Sequence, residues 1–266
     1  MHIITLTSDY GHKDFFVSAI KGHILSELGD VKIVDISHDI KPFNIIEAAY
    51  IIKNTYMFFP KGTIHIIALN NEHDINEHIV TYIDGHYFIG PHSQVFSLIF
   101  PLKNADQIVL INISGTYHTD LFPAKDIFID VAGHIIRGGG LNVVGEKINN
   151  FKPANHSLPI QKNNETTLMG TIIYIDRFGN IITNIEKDFF HKVKRARDFI
   201  IHLPRKHTIN NIDRKYSDVP EADVVALFNS SNMLEIAINR ADKNAKNGAS
   251  TLLGINQGDE IIIHFN

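Results

Sequence analysis

The sequence predicts an α/β N-terminal domain with a mostly parallel sheet, followed by a smaller all-β C-terminal domain built as a barrel. Three observations predict this. Over residues 1–150, apolar runs of strand length alternate with stretches whose apolar residues recur every three or four positions, the pattern of strands covered by helices. Residues 151–166 carry Pro153, Pro159 and a run of Asn, Lys and Glu without periodicity, and read as a linker. Over 167–266, short β-like runs follow one another with few helices between them.

In the first domain, Ile3, Ile4 and Leu6 form a short buried strand that ends in a polar turn with Ser8, Asp9 and Gly11. Phe16, Ile20, Ile24 and Leu28 then fall on one helical face. Residues 31–36 form a second strand, ending in Ser37, His38 and Asp39, and Pro42 breaks the chain before a helix over 45–58. A third strand spans 62–67, followed by a polar loop from Asn70 to His78. Residues 79–84 and 86–89 read as a hairpin turned at Asp84-Gly85. Helices are expected over 93–100 and 125–137, with a strand over 108–113 between them. In the second domain the strands are 168–175, 181–185, 199–203, 224–228, 234–238 and 260–265, with 206–218 a polar loop.

Composition narrows the function. The 266 residues are 44% hydrophobic, enough for a sizeable core, and 25 basic against 29 acidic residues give a net charge of −4. Without a basic stripe, nucleic acid is not an expected partner. The absence of cysteine excludes disulfides and thiolate chemistry and suits a reducing compartment. No signal peptide and no apolar run of about 20 residues is read, so a soluble cytoplasmic protein without membrane contact is the expectation. No G-x-G-x-x-G follows the first strand and no P-loop lysine is present, so dinucleotide and ATP cradles are unsupported. The glycines after Arg137 read as a helix C-cap.

Candidate chemistry lies at strand ends. In an open α/β sheet ligands bind outside the carboxyl ends of strands, and the turn after the first strand offers two carboxylates there, Asp9 and Asp14. Capping of the following helix is the competing role. Glu72, His73, Asp74, Glu77 and His78 cluster in the polar loop, where they can bind a cation, supply a general base or simply be solvated. No metal site is assigned. A strand ending in Asp176, Phe178, Gly179 and Asn180 places an aromatic among hydrogen-bonding side chains. A further strand runs into Asn229, Ser230 and Ser231.

Together Thr7-Ser-Asp-Tyr-Gly11, Asp14-Phe-Phe-Val17, Lys21-Gly22, Val34-Asp-Ile-Ser-His38, Phe59-Pro-Lys-Gly-Thr-Ile-His65, Asp176-Arg-Phe-Gly-Asn180 and Asn229-Ser-Ser231 resemble the S-adenosyl-L-methionine (SAM) hydroxide adenosyltransferase family, which also contains the fluorinase and chlorinase. The resemblance runs from residue 3 to residue 265. It implies a homotrimer with the ligand lodged between neighbouring subunits, and SAM as substrate with no cofactor. It also implies that Asp9 holds the ribose hydroxyls, Asn180 reads the adenine edge, Phe178 forms an apolar wall, Asp176 pairs with the methionine ammonium and Ser230 holds the carboxylate. The implied chemistry is displacement at ribose C5′, releasing neutral methionine and adenosine.

The water-handling residues of that family depart from the pattern. A strand-end motif resembling V-D-P-G-V-G reads Ala68-Leu-Asn-Asn-Glu-His73, so Asn70 holds the place of an aspartate. Glu77 stands where an arginine is expected, and Pro123 replaces the histidine of an H-G-R-D-I-F motif. A G-P-D-N-G loop reads Gly90-Pro-His-Ser-Gln94. An amide is no carboxylate base and proline has no ring nitrogen. SAM hydrolysis with a base rebuilt from Glu77, His73 or His92, and with Asn70 beside them as a catalytic candidate, is the leading expectation. Binding of SAM or adenosine without turnover, and halide-dependent chemistry, stay open beside it.

Overall fold

Strand pairing in the N-terminal half follows from burial on both faces of its sheet. The structure, a computed structural model, describes residues 1–69, 77–101, 105–112, 121–154, 158–162, 166–240 and 248–266. Asn70, His73 and most of the acidic loop around them lie outside the described residues. The chain divides into two units, Met1–Ala154 and Asn155–Asn266.

The first unit contains β1 (His2–Ser8), α1 (Phe16–Leu28), β2 (Val31–Ser37), α2 (Ile45–Lys53), β3 (Ile64–Ala68), β4 (His78–Ile83), β5 (His86–Pro91), α3 (Val95–Ile99), β6 (Gln107–Ile111), α4 (Pro123–Asp126), α5 (Phe128–Ile136) and β7 (Gly145–Ile148). Among the described residues its sheet has seven strands in the order β2-β1-β3-β5-β4-β6-β7. The parallel pairs are β1 with β2, β1 with β3 and β3 with β5. The pairs β4–β5, β4–β6 and β6–β7 are antiparallel. The sheet is therefore mixed, a correction to the mostly parallel expectation. The cause is the tight turn at Asp84 and Gly85, both at positive φ, which folds β5 straight back along β4 instead of sending the chain through a crossover helix.

Side chains alternate faces along each strand. Ile66, Val80, Ile89 and Val109 join one apolar cluster with Ile20 and Ile24 of α1 and Phe128 and Ala132 of α5. Their sequence neighbours Ile67, Ile79, Phe88 and Ile108 join another, with Ala48 and Ile52 of α2 and Phe96 and Ile99 of α3. Helices thus cover both faces, which is why these strands read as continuous apolar runs. The helix expected over 45–58 stops at Lys53 and resumes as a 3-10 turn at Tyr56–Phe58. After α5, Gly138 at positive φ donates its N–H to the Ile135 carbonyl, the C-cap expected of that glycine run.

The second unit contains β8 (Ile160–Lys162), β9 (Thr167–Ile175), β10 (Ile181–Glu186), α6 (Lys187–Lys194), β11 (Phe199–His202), β12 (Thr208–Ile209), β13 (Val224–Phe228), β14 (Met233–Ile238), α7 (Ala249–Leu253) and β15 (Glu260–Phe265). The sheet runs β12-β11-β15-β9-β10-β14-β13, with β8 beside β9, and every one of these pairings is antiparallel. Just past β12, Asp213 bridges to Leu227 of β13, so the two ends of the path nearly meet and the sheet is barrel-like. One core cluster fills it, with Leu168, Ile181, Ile201, Leu234, Ile236 and Ile263 around Phe190 of α6. Sequence periodicity missed α6, whose buried residues are Phe190 and Val193, with Phe189 half-buried beside them.

Within the first unit, Thr5 Oγ1 lies 2.7 Å from His65 Nδ1, and His65 Nε2 lies 3.3 Å from His86 Nδ1. Burial, with His86 second, pushes His65 down to about 3, and burial also lowers His86. Unfolded histidine titrates near 6.5, so below that pH the unfolded chain binds the proton first. Stability from the neutral pair is therefore complete above about pH 6.5 and is lost as pH falls toward about 3, at about 1.4 kcal/mol per pH unit for His65. Denaturant unfolding measured at intervals between pH 7.5 and 4 should show this decline, and His65→Gln should flatten it. An equally steep decline in His65→Gln would assign the effect to other groups.

Candidate functional site

Groups converge at the carboxyl end of β1. A register shift between Leu6 and Thr7 pairs Leu6 with Asp35 but Thr7 with Ser37, which brings Ser8 level with His38. Ser8 is fully buried and its Oγ lies 2.6 Å from His38 Nδ1. On the far side of that ring, Nε2 lies 3.1 Å from Asp35 Oδ1, though off the ideal hydrogen-bond axis, and Asp35 Oδ2 accepts from Lys21 Nζ at 2.6 Å. Burial lowers the His38 pKa, with Asp35 opposing and His12 and Lys21 assisting. For Asp35 burial acts upward, but the hydrogen bonds and charges of Lys21 and His38 outweigh it and hold the carboxyl below its usual range.

This chain supports the loop that carries Asp9. Gly11, at positive φ where a side chain would be strained, donates its N–H to the His38 carbonyl at 2.8 Å. Asp9 Oδ2 accepts the Phe43 N–H at 3.2 Å. Phe43 itself sits at φ 64°, a left-handed conformation that costs a non-glycine residue about 1–2 kcal/mol, and its ring is half exposed. Asp14 is exposed just before α1. Neither aspartate caps that helix: its N-cap is Phe15, with no side-chain hydrogen bond, so the capping role is set aside. Tyr10, raised by burial and then by Asp9, stays a neutral phenol packed on Phe16 and Phe122.

Glu77 and His92 meet in the same unit. Glu77 Oε2 lies 3.2 Å from His92 Nδ1 and accepts from Lys152 Nζ at 2.9 Å. The Glu77 backbone carbonyl also accepts the His92 N–H at 2.8 Å. The Lys152 hydrogen bond and charge, then the His92 hydrogen bond, hold the Glu77 carboxyl below its ordinary range. That makes Glu77 a weak base and a good orienting anion. Pro123 is the first residue of α4, where its missing N–H costs nothing.

In the second unit Asp176, Phe178 and Asn180 occupy the tight turn between β9 and β10. Asp176 Oδ1 accepts the backbone N–H groups of Phe178 at 2.8 Å and Asn180 at 2.9 Å, and Oδ2 accepts from Asn180 Nδ2 at 3.0 Å. This is an Asx-type turn, and it organises the loop from within. Gly179 has φ +77°, and a Cβ there would come within 2.9 Å of the Gly248 Cα. Asn180 is buried, while Phe178 is 60% exposed, its ring turned outward. Ser230 is exposed in the turn between β13 and β14.

Sequence reasoning missed what holds Ser230 in place. Asn229 Oδ1 accepts the N–H groups of Ser231 at 2.9 Å and Met233 at 3.2 Å, while Asn229 Nδ2 donates to Glu235 Oε2 at 3.0 Å. Tyr216 OH donates to Glu235 Oε1 at 2.7 Å. Glu235 is 3% exposed, and burial raises its pKa against those two hydrogen bonds. Strand alternation gave no warning, because Glu235 falls on the face opposite Leu234 and Ile236, where a polar residue is ordinary.

Comparison with known proteins agrees across nearly the whole chain. The family model described as SAM hydroxide adenosyltransferase N-terminal domain matches residues 4–145, and the C-terminal domain model matches 170–262. The chain is 30% identical to the (R)-S-adenosyl-L-methionine hydrolase of Methanocaldococcus jannaschii, over 99% of this chain and 96% of that protein. It is 24% identical to the fluorinase of Actinopolyspora mzabensis, over 90% and 91%. A crystal structure of a conserved protein from Thermotoga maritima superposes with a TM-score of 0.84 at 25% identity, covering 98% of this chain and 99% of that one.

Two outcomes follow from the geometry. Asp176→Ala should lower the unfolding free energy by about 1–3 kcal/mol through unsatisfied turn N–H groups, and Asp176→Asn, which keeps an accepting oxygen, should recover most of that in denaturant melts. Lys152→Ala should let the Glu77 carboxyl titrate nearer its ordinary range in carbon-detected NMR; an unmoved titration would show that the ion pair is not made in solution.

Proposed function

Because the chain belongs to the SAM hydroxide adenosyltransferase family, we propose that it binds SAM and hydrolyses it to adenosine and L-methionine. The observation that carries this reading is the end-to-end similarity to the M. jannaschii hydrolase. In the reaction a water oxygen attacks ribose C5′, the C5′–S bond breaks with its electron pair going to sulfur, and the sulfonium becomes a neutral thioether. The leaving group needs no proton, so the protein supplies position, desolvation and an acceptor for the proton that water loses.

Asp9 is the proposed ribose ligand, because a carboxylate accepts from two vicinal hydroxyls, with Asp14 at the rim of the same turn. Asn180 and Phe178 are assigned to adenine, Asp176 to the methionine ammonium and Ser230 to its carboxylate. Asp176 already accepts three hydrogen bonds inside its turn, and a carboxylate has about four lone-pair positions, which leaves one for an ammonium. Of the three residues expected to rebuild the base, Glu77, His73 and His92, the last is supported best. With Glu77 accepting from the Nδ1 proton, the lone pair sits on Nε2, and Glu77 serves as orienter. Asn70 and His73 stay candidates to hold the water. The reading needs no cofactor.

A homotrimer with sites at subunit boundaries and a cytoplasmic setting complete the proposal. Phe15, Met57, Phe58, Leu121 and Val143 are among the large apolar side chains more than 60% exposed on the first unit, candidates for such an assembly to cover. The substitutions at Asn70 and Pro123 favour a second reading, in which SAM is bound without turnover.

Incubating purified protein with SAM, with and without chloride or fluoride, separates these. Equimolar adenosine and methionine are expected; a 5′-halonucleoside would favour halide chemistry, and unchanged SAM with a raised melting temperature would favour binding alone. Asp9→Ala should weaken SAM affinity at least about tenfold, the scale of a charge-assisted hydrogen bond. His92→Gln should lower kcat about 100-fold or more with KM little changed; an unaltered kcat removes His92 as the base.

A further inference from the structure

His38 stands at the polar end of the second strand and closes a matching motif, and the reaction above does not use it. We infer that His38 is a positioning residue that clasps the loop after β2 onto the loop after β1, so aiming the Asp9 carboxylate, and that protonation of its ring loosens the clasp and weakens ligand binding. The inference rests on Asp9 being a SAM ligand and adds a pH-sensitive support to that site.

Three ties make the clasp. His38 Nδ1 holds Ser8 Oγ at 2.6 Å, and the His38 carbonyl holds the Gly11 N–H at 2.8 Å, one tie on either side of Asp9 in sequence. Phe43, farther along the same loop, gives its N–H to the Asp9 carboxylate. Ser8 and His38 are buried, so water does not stand in when a tie breaks. The ring tautomer follows from its neighbours. Nε2 lies 3.1 Å from the Asp35 carboxylate, off the hydrogen-bond axis. The ring proton is assigned to Nε2 because that charge draws it there, leaving Nδ1 to accept from the Ser8 hydroxyl. A second ring proton would sit on Nδ1 and force the Ser8 hydroxyl to turn its own proton elsewhere in a buried space.

The charged groups around the ring set when that happens. Asp35 of β2 favours the imidazolium. Lys21 of α1 and His12, whose ring lies 5.0 Å away, oppose it together with burial. The clasp is therefore closed at neutral pH and opens on the acid side of the ordinary histidine range.

Two readouts between pH 8 and 4.5 test this: hydrogen exchange of the Gly11 and Phe43 amides without ligand, corrected for intrinsic rates, and the Kd for SAM. In the unsubstituted protein both amides should lose protection toward acid, and Kd should rise, at most tenfold per pH unit as for one proton. His38→Asn places an amide oxygen near the Nδ1 position and does not titrate, so protection and affinity should hold without the acid limb. His38→Ala should lose protection and weaken SAM at least tenfold at every pH. Asp35→Asn removes the anion that favours the imidazolium and should move the acid limb to lower pH. An acid limb that persists in His38→Asn, or full protection of both amides in a folded His38→Ala, overturns the inference; should the alanine variant not fold, the asparagine variant decides alone. If the unsubstituted protein binds no SAM at any pH, the SAM reading falls, while amide exchange still decides the clasp.

Discussion

A hydroxyl buried away from water has to find a partner in the protein, and at Ser8 this requirement organises the carboxyl end of the parallel strands. Ser8 takes the ring of His38, His38 lies against Asp35, and Asp35 takes Lys21. The chain of contacts runs from the end of β1 through β2 to α1, so three elements share one polar seam. A slip of one residue in the β1–β2 register would carry His38 away from Ser8 and break this contact. The apolar clusters on either face hold the sheet together, but this seam sets where the loop carrying Asp9 points.

The fold was legible wherever one physical signal acted alone. Strands of the first unit are apolar on both faces, and the Asp84-Gly85 turn needs positive φ at both positions, so strands and hairpin could be read from residue types. The parallel share was overestimated, because alternation of strands and helices does not reveal that β4, β6 and β7 run against their neighbours. β7, with Glu146 and Lys147 exposed, carried too few apolar residues to register. The helix α6 went unseen because only Phe189, Phe190 and Val193 of its eight residues pack on the core it covers.

The candidate site could be read as residue types and not as contacts. Asp9 and the 176–180 turn stood out because polar residues follow apolar runs there. Their supports did not, since they depend on pairs far apart in the chain. Lys152 on Glu77 joins residues 75 positions apart, and Tyr216 on Glu235 joins residues 19 apart. Asp176 shows the limit most plainly. Sequence offered it as a ligand group, while the structure first gives it the work of closing its own turn.

The contact between Gly179 and Gly248 carries a consequence for variation. A side-chain carbon on either would press into the backbone of the other, at 2.9 Å from one side and 2.8 Å from the other. The Ser250 N–H also holds the Gly179 carbonyl at 2.9 Å. Two segments remote in sequence therefore behave as one mutational unit. A lineage, or an engineer, wishing to reshape the Phe178 loop has to rewrite the approach to α7 at the same step, because single substitutions at the crossing meet backbone, which cannot step aside.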